Sequence, residues 1–597
     1  MDTAIETEAL PRWKLEDLYG SPQAPELEAD LKKAADDAKA FQARYKGRLP
    51  GLTGDELGQA IRDYEALSDL TGRIGSYAGL LYYGDMSDEA IAGFYQNSME
   101  TLNDIGSDLL FFTLELNTLE EADLAARLAE SPQLAHYKPW LDELRTFRPH
   151  QLSDELEQLL HDKSVAGRSA WTRLYDETLA AMRCTVDGKE LTLAEVLNLL
   201  SNHDGEVRRK AAEALSSRLK DHARLFALVT NTLIKDKEVE DRWRKHSTPA
   251  ESRHLANQVE KEVVDALARA VGDAYPRLSH RYYKLKARWM GKDPLDYWDR
   301  NAPLPGDSDE KISWPEARSI VLDAYNDFSP RMAQIAGQFF EKSWIDAGPR
   351  PGKESGAFSH PTVPSAHPYI LMNFQGRNRD VMTLAHELGH GVHQVLAAPQ
   401  GALMAGTPLT LAETASVFGE MLTFQSLLRR ESDPARRRLL IGSKIEDMLN
   451  TVVRQIAFHQ FETKLHDERR SGELSLKRIN DIWMETQRES LGPSIRLGEG
   501  YEFLWGYISH FIHVPFYVYA YAFGDCLVNS LYAVYEENAE GFEPRYIEML
   551  KAGGTLRHKE LLAPFGLDAS DPAFWSKGLS VIERFIDQLE TELQGQI

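Results

Sequence analysis

Helix-type spacing of apolar residues runs through most of this 597-residue sequence. Between residues 24 and 225, leucines and alanines recur three and four positions apart among lysines and acids, with only short Pro or Gly breaks. Such segments cannot build a large sheet, so the predicted fold class is mainly α. Because the chain is too long for one small core, we expect an N-terminal helical lobe over residues 1–204 and a catalytic helical domain over residues 205–597.

The pattern changes after residue 294, where Pro- and Gly-rich loops separate the apolar runs. Two short segments, 357–359 and 369–374, contain β-prone residues bounded by Pro, Gly and His, and they predict strands of a small sheet. A free strand edge at this place could bind an extended peptide through main-chain hydrogen bonds.

Charge and apolar content exclude several classes of partner. Acidic residues outnumber basic ones, 92 to 68, for a net charge of −24, and such a surface repels phosphate backbones and anionic lipid. We therefore expect neither nucleic acid nor a membrane as partner. The apolar stretch 514–535 contains Asp525 and Asn529, so it predicts a buried helix rather than a membrane span. No signal-peptide pattern is visible, the expected location is cytoplasmic, and nothing indicates an oligomeric state.

The motif HELGH at residues 386–390 lies in a predicted helix that covers residues 381–397. His386 and His390 are four positions apart, so both imidazoles leave one face of the helix, about 6 Å apart along its axis. This spacing places two ligands for one zinc ion, Zn2+. Glu387 stands beside the first ligand, where its carboxylate can take a proton from a zinc-bound water and pass it to the leaving amine.

A catalytic zinc site needs a third protein ligand. His393 lies on the same helix face but about 10 Å along the axis from His386, too far to share one ion. Glu413 lies in the first turn of the next predicted helix, and a fold-back of that helix would bring its carboxylate to the histidines. Glu420, two turns later on the same face, is the rival ligand or a group that orients an imidazole. We predict Glu413, because it lies nearer the fold-back.

Peptide hydrolysis also needs hydrogen-bond donors for the developing oxyanion. Residues 510–521 read HFIHVPFYVYAY, and His and Tyr are neutral donors suited to this task. We assign His510 and Tyr517 to it. Tyr517 and Tyr521 would share a helical face, whereas Tyr519 would point elsewhere. The alternative is that these residues are core aromatics with satisfied hydroxyls.

These motifs resemble the thimet-type (M3) metallopeptidases, and within them the oligoendopeptidase F branch. The resemblance rests on HELGHGVHQ at residues 386–394, on Glu413 and on the 510–521 segment. It extends to RTFRPHQLS at residues 145–153 and SGAFS at residues 355–359. It implies a two-lobed, clam-like helical body with a deep substrate channel and a small β-sheet near the zinc site.

The resemblance also implies an activity: a zinc-dependent endopeptidase that hydrolyses internal bonds of short, unstructured oligopeptides, because the channel excludes folded proteins. The family's ligands, base and oxyanion donors correspond in this chain to His386, His390 and Glu413, to Glu387, and to His510 and Tyr517. Tyr519 or Tyr521 could also take the place of the family's tyrosine, because the tyrosine spacing differs among members.

Two other functions fit part of the sequence. A zinc carboxypeptidase on a related helical scaffold would need a cation for the free C-terminal carboxylate of its substrate, and Arg377, Arg379 and Arg496 lie near the motifs. Its turnover would fall when the peptide C-terminus is amidated. A catalytically silent peptide-binding protein is the third interpretation, but such a protein has no physical reason to keep two histidines and two glutamates of a zinc site.

Overall fold

A computed structural model describes residues 10–164, 166–306 and 311–594. Helices make up most of this part of the chain, so the predicted mainly α class is confirmed. The α-helices are, in chain order, α1 Pro25–Tyr45, α2 Gly54–Gly84, α3 Glu89–Thr118, α4 Glu121–Glu130, α5 Pro132–His136, α6 Lys138–Arg145, α7 Asp154–Ser164, α8 Arg168–Ala181, α9 Leu193–Leu199, α10 Gly205–Trp243, α11 Glu251–Ala256, α12 Lys261–Ala274, α13 Ser279–Trp289, α14 Trp314–Phe328, α15 Pro330–Glu341, α16 Asn378–Ala397, α17 Leu409–Arg430, α18 Pro434–Thr451, α19 Val453–Arg469, α20 Leu476–Leu491, α21 His510–His513, α22 Tyr519–Glu537, α23 Phe542–Lys551, α24 His558–Leu562 and α25 Pro572–Leu593. The strands are β1 Cys184–Val186, β2 Lys189–Leu191, β3 Leu295–Asp296, β4 Ile345–Asp346, β5 Phe358–His360, β6 Tyr369–Leu371 and β7 Ile495–Arg496.

The chain forms two compact units, and each unit is assembled from three separate segments. Unit 1 comprises Met1–Arg148, Asp309–Arg429 and Tyr535–Gly566, and unit 2 comprises Pro149–Ser308, Arg430–Val534 and Leu567–Ile597. The division into an N-terminal helical lobe over residues 1–204 and a catalytic helical domain over residues 205–597 stays a prediction, and its boundary falls within unit 2. Local sequence patterns report single helices, whereas the units depend on which distant segments pack together.

Unit 1 combines a helical layer with a small sheet. Helices α1, α2 and α3 pack against one another, and α2 begins at a capping box in which Thr53 and Glu56 each accept a hydrogen bond from the backbone N–H of the other. The sheet has the strand order β4-β6-β5, with β6 parallel to β4 and antiparallel to β5. The predicted strands are confirmed, although β6 ends at Leu371, earlier than predicted.

The central strand β6 is fully buried. Its register with β5 determines which backbone groups of β5 point away from the sheet. Ile370 donates its backbone N–H to the Trp344 carbonyl on the β4 side. Its partner in β5 is Ser359. Because Ile370 bonds away from β5, the backbone groups of Ser359 point to the open edge of the sheet.

Unit 2 contains one very long helix and one largely buried helix. The 39-residue helix α10 is the longest in the described ranges. The first part of α22 is almost wholly buried, and Asn529 donates a 2.8 Å hydrogen bond to Asp525 within it. The prediction of a buried helix over 514–535 is therefore confirmed, although α22 starts at Tyr519. None of the helices in the described ranges is long and apolar enough to span a membrane.

Candidate active site

Helix α16 carries the HELGH motif and begins three residues earlier than predicted. The carboxylate of Asp380 accepts hydrogen bonds from the backbone N–H groups of Arg377 (2.9 Å) and Gln375 (2.8 Å), which fixes the first turn. The helix ends at Ala397, and Gly401, with φ of 88°, completes the turn that follows. The predicted C-terminal end is confirmed.

Gly389 allows helices α16 and α17 to approach each other closely. A Cβ atom at this position would lie 2.4 Å from the carbonyl oxygen of Ala415 and 2.6 Å from the Cα of Ser416. A larger residue would force the backbone of α17 away, so glycine is needed here for contact rather than for an unusual φ. Because Ala415 is two residues from Glu413, this contact brings the Glu413 carboxylate to the histidine face of α16.

The three predicted ligands lie together in unit 1, and we call them the metal cluster: His386, His390 and Glu413. Glu413 Oε2 is 3.3 Å from His386 Nε2 and 3.5 Å from His390 Nε2. One ligand atom from each residue lies within 4.8 Å of the other two. His393 is buried, and its pKa is lowered to about 4 by burial. It is outside this group, in agreement with its rejection as a ligand.

Glu420 lies on the other side of the first imidazole. Its Oε2 is 3.4 Å from His386 Nδ1, the ring nitrogen that does not face Glu413. A carboxylate in this position orients a ligating histidine and favours the tautomer with a proton on Nδ1. Glu413 is itself held by the Ser416 hydroxyl, which donates a 2.6 Å hydrogen bond to Oε2.

The charges around the metal cluster fit a cation. Burial alone would lower the pKa of His386, but the carboxylates of Glu420, Glu413 and Glu387 outweigh it and raise this pKa to about 9. The pKa of His390 is lowered, chiefly by burial. Three carboxylates thus surround two half-buried imidazoles, and two nitrogens and one oxygen converge. This donor set and this excess of negative charge suit a zinc ion.

Glu387 is the most buried acid of the site, with 6% of its surface exposed. Burial raises its pKa to about 7, with the charge of His386 and the backbone N–H of Ser359 acting in the opposite direction. It follows His386 directly in the sequence and so lies beside the metal cluster, but it is not one of the three grouped ligands. A buried carboxyl next to a metal site is the arrangement that general-base catalysis needs.

The edge of the sheet is joined to helix α16 at Ser359. Gln394 donates from Nε2 to the Ser359 carbonyl (3.0 Å), and the Ser359 hydroxyl donates to Gln394 Oε1 (2.9 Å). The carbonyl that points to the open edge of β5 is therefore already an acceptor for a side chain of α16. Sequence reasoning missed this pairing, because only the strand register shows which backbone groups face outward.

The predicted oxyanion donors lie in unit 2, in residues 509–521, which we call the donor segment. His510 Nε2 is 3.3 Å from the Tyr521 hydroxyl, and the His510 and Tyr517 ring centroids are 6.3 Å apart. Tyr517 precedes helix α22, so the two tyrosines do not share one helix face as predicted, but their ring centroids are still only 5.3 Å apart. All three side chains are half-buried.

Tyr519 differs from its two neighbours because it is a core residue. Its side chain is fully buried. Asn257 donates a 2.9 Å hydrogen bond to its hydroxyl, and His254 Nδ1 lies 3.0 Å from the same oxygen. The interpretation of a core aromatic with a satisfied hydroxyl therefore holds for Tyr519.

The donor segment has an irregular backbone with a buried support. Phe516, buried, adopts a φ of 60°, which is rare for a residue with a side chain. Its backbone N–H donates a 3.0 Å hydrogen bond to Oε1 of the buried Glu462. Burial raises the Glu462 pKa to about 8. An acid inside the apolar face of α19 was the only sequence signal for this contact.

A second group of two histidines and a glutamate lies in unit 2, formed by His150, His246 and Glu251. The His150 and His246 rings are stacked, with centroids 4.1 Å apart and an interplanar angle of 19°. His150 Nδ1 is 2.9 Å from the Arg244 carbonyl oxygen. Stacked rings direct their nitrogens side by side instead of to one point, so this group is the weaker candidate for a metal.

The three arginines considered for a carboxypeptidase are all exposed. Arg377 and Arg379 flank the start of α16 at the surface, and the Nε of Arg496 lies 3.6 Å from Oδ1 of Asp296. None of the three is a buried cation of the kind that holds a substrate carboxylate in a closed pocket.

Comparison with known proteins gives consistent results. The sequence model of "Peptidase family M3" matches residues 198–581, and that of "Oligopeptidase F" matches residues 115–183. Oligopeptidase PepF of Bacillus subtilis is 26% identical over 594 residues, which cover 98% of this chain and 88% of that protein. A crystal structure from Chlamydophila abortus superposes with a TM-score of 0.85 at 21% identity, over 97% of this chain and 98% of that one. Oligoendopeptidase-F from Enterococcus faecium superposes with a TM-score of 0.70 at 22% identity, over 95% and 97%.

Proposed function

Because this chain belongs to peptidase family M3 and is a metalloendopeptidase, we propose that it is a zinc-dependent oligoendopeptidase that cleaves internal bonds of short, unstructured peptides. The observation that carries this proposal is the metal cluster with Glu387 buried beside it. A silent peptide-binding protein would not need this arrangement, and the family match supports activity.

One zinc ion would be held by His386, His390 and Glu413. When bound, zinc acts as a Lewis acid that polarises the scissile carbonyl and lowers the pKa of water. Glu420 keeps His386 in the ligating orientation, and the Ser416 hydroxyl does the same for Glu413.

Glu387 is the proposed general base. It takes a proton from the attacking water and then gives it to the nitrogen of the leaving amine. Its burial excludes bulk water from this proton, which supports a direct transfer. The neighbouring Ser359, held by Gln394, keeps the strand β5 against the helix that carries this base.

The proposed oxyanion donors are His510 and Tyr517. Their rings lie close together, and Tyr521, which bonds to His510, is the alternative tyrosine. Neutral N–H and O–H donors stabilise the negative charge that develops on the carbonyl oxygen during attack.

The test is to map by mass spectrometry the bonds that the protein cuts in a peptide library, with and without a chelator. We expect internal cuts in short peptides, equal turnover of substrates with free and amidated C-termini, and complete loss with the chelator. Turnover that disappears on amidation would indicate the carboxypeptidase. Cutting that is insensitive to the chelator would contradict the metal-dependent mechanism.

A further inference from the structure

A cavity in unit 2 is lined by two arginines that form no ion pair with any acid in the described ranges. Arg300 follows the turn Tyr297–Asp299, Arg454 lies in the first turn of α19, and both line the cavity. Across the described residues, neither guanidinium has an ion-pair partner within 4.0 Å.

The acids next to this cavity already have cationic partners of their own. Asp299 is paired with Arg208 at 2.6 Å and with Lys292. Glu446 is paired with Lys286 at 2.5 Å. Three cations therefore already pair with these two acids, so neither acid is left to pair with the cavity arginines.

The cavity also contains buried N–H donors that have no hydrogen-bond acceptor. Gln487 is only 2% exposed; its Oε1 accepts a 2.9 Å hydrogen bond from the Tyr501 hydroxyl, while its Nε2 has no partner. The Nε of Arg454 is likewise buried without a partner. Buried donors that lack an acceptor are unfavourable, so an acceptor that enters the cavity would satisfy both of them.

The two guanidiniums also affect each other. Burial lowers the pKa of Arg454, and the positive charge of Arg300 lowers it further. Like charges in a desolvated place are unfavourable unless an anion lies between them. The Arg454 guanidinium lies 5.1 Å from the centre of the Phe458 ring, and Tyr and Trp side chains form much of the remaining wall.

We propose that Arg300, Arg454 and Gln487 bind a carboxylate whose organic part lies against the aromatic wall. Planar guanidiniums match the two oxygens of a carboxylate, and the aromatic wall favours an organic acid over an inorganic ion. The carboxylate comes from a small organic acid or from the C-terminus of a peptide. The site does not depend on the peptidase mechanism, because it uses none of the residues of the metal cluster.

Isothermal titration calorimetry on the full chain tests this site. Benzoate and N-acetyl-phenylalanine are titrated against their neutral amides, in buffer free of other carboxylates, with and without a chelator. We expect the acids to bind about tenfold or more tightly than the amides, because a charge-assisted hydrogen bond is stronger than a neutral one. The chelator should not change this binding, which separates the site from a metal ion. Tighter binding of N-acetyl-phenylalanine than of benzoate identifies a peptide C-terminus as the source, and equal binding identifies a small organic acid.

Variants give the second readout. Arg454→Met and Gln487→Leu should each weaken the binding of benzoate about tenfold or more. Arg209→Met, which removes an arginine of α10 outside the cavity lining, should not change this binding. Thermal melts show whether each variant is folded. If a variant unfolds, the comparison of acids with amides on the unaltered chain still decides. Equal binding of acid and amide, binding lost with the chelator, or inorganic phosphate binding as tightly as benzoate would each overturn the proposal.

Discussion

The metal cluster and the donor segment carry the proposed chemistry, and they differ in the backbone that supports them. The metal cluster lies on two regular helices, α16 and α17, which a glycine allows to touch. The donor segment contains a four-residue helix, a turn and a buried residue with a φ of 60°. Spacing rules describe the first kind of backbone well and the second kind poorly.

This difference makes the two regions sensitive to different changes. The metal cluster depends on side chains that meet at one point, so removing one group should abolish binding or chemistry. The donor segment depends on a hydrogen-bonded support beneath it, so some changes there should alter stability or its pH dependence instead of the chemical step.

The largest effect is expected at the base. Glu387→Gln should lower kcat/KM by about a thousandfold or more, because the amide cannot accept the proton from water, while the bound metal should remain. The measurement is peptide hydrolysis together with metal content. Glu341→Gln, an exposed acid of unit 1, is the matched control and should keep wild-type activity. Cleavage by Glu387→Gln at the wild-type rate would show that the assigned base is wrong.

The tyrosines of the donor segment should separate into two classes. Replacing the tyrosine that contacts the oxyanion by Phe should lower kcat by about a hundredfold to a thousandfold with little change in KM, and Tyr517 and Tyr521 are the candidates. Tyr519→Phe should instead lower thermal stability, because it removes the partner of Asn257 and His254. If neither Tyr517→Phe nor Tyr521→Phe changes kcat by more than about twofold, neither tyrosine is an oxyanion donor.

A smaller effect is expected at the group that orients His386. Glu420→Ala should lower metal affinity or activity about tenfold to a hundredfold, because the imidazole loses its partner on Nδ1. Titration with a competing chelator measures the affinity. Arg429→Ala, exposed near the end of the same helix, should leave it unchanged. An unchanged affinity in Glu420→Ala would mean that packing alone orients the ring.

The smallest effect is expected on the free energy of unfolding, at Glu462, which supports the donor segment. Burial raises the Glu462 pKa to about 8, so the folded state keeps a proton that the unfolded state releases near the ordinary value of 4.5. The stability from this proton is fully present below about pH 4.5 and is lost as the pH rises towards 8. Glu462→Gln should remove this decline while keeping the acceptor for the Phe516 N–H.

Urea unfolding of the wild type and of Glu462→Gln between pH 5 and 8 measures how the free energy of unfolding of each depends on pH. Glu468→Gln on the same helix is the control: Arg478 lowers the pKa of Glu468, so its contribution changes only at lower pH. Parallel curves for the wild type and Glu462→Gln over this range would contradict a protonated Glu462.

Much of the site could be predicted from the sequence because it follows helix geometry. His386 and His390 meet because four residues make just over one turn, and Glu413 follows because a short loop returns the chain. Contacts between residues that are distant in the sequence could not be predicted in this way. The Ser359–Gln394 pairing depends on strand register, the support of Phe516 by Glu462 joins residues 54 positions apart, and the cavity arginines come from distant segments.

The fold shows the same limit. Helix and strand positions follow from local periodicity, and they were predicted to within a few residues around the site. The composition of the two units could not be predicted, because each unit is formed by three segments that are far apart in the chain. Which segments pack together depends on side-chain contacts that no local pattern reports.

Metal content tests the central claim most directly, because two groups in the described part of the chain have two histidines and a glutamate within ligand distance. We expect about one zinc ion per chain in the wild type and in His246→Ala, and clearly less in His390→Ala and Glu413→Ala. Mass spectrometry of the purified proteins after equal dialysis gives these values. A wild-type protein without bound metal, or zinc lost from His246→Ala but kept by His390→Ala and Glu413→Ala, would contradict the assignment of the metal cluster.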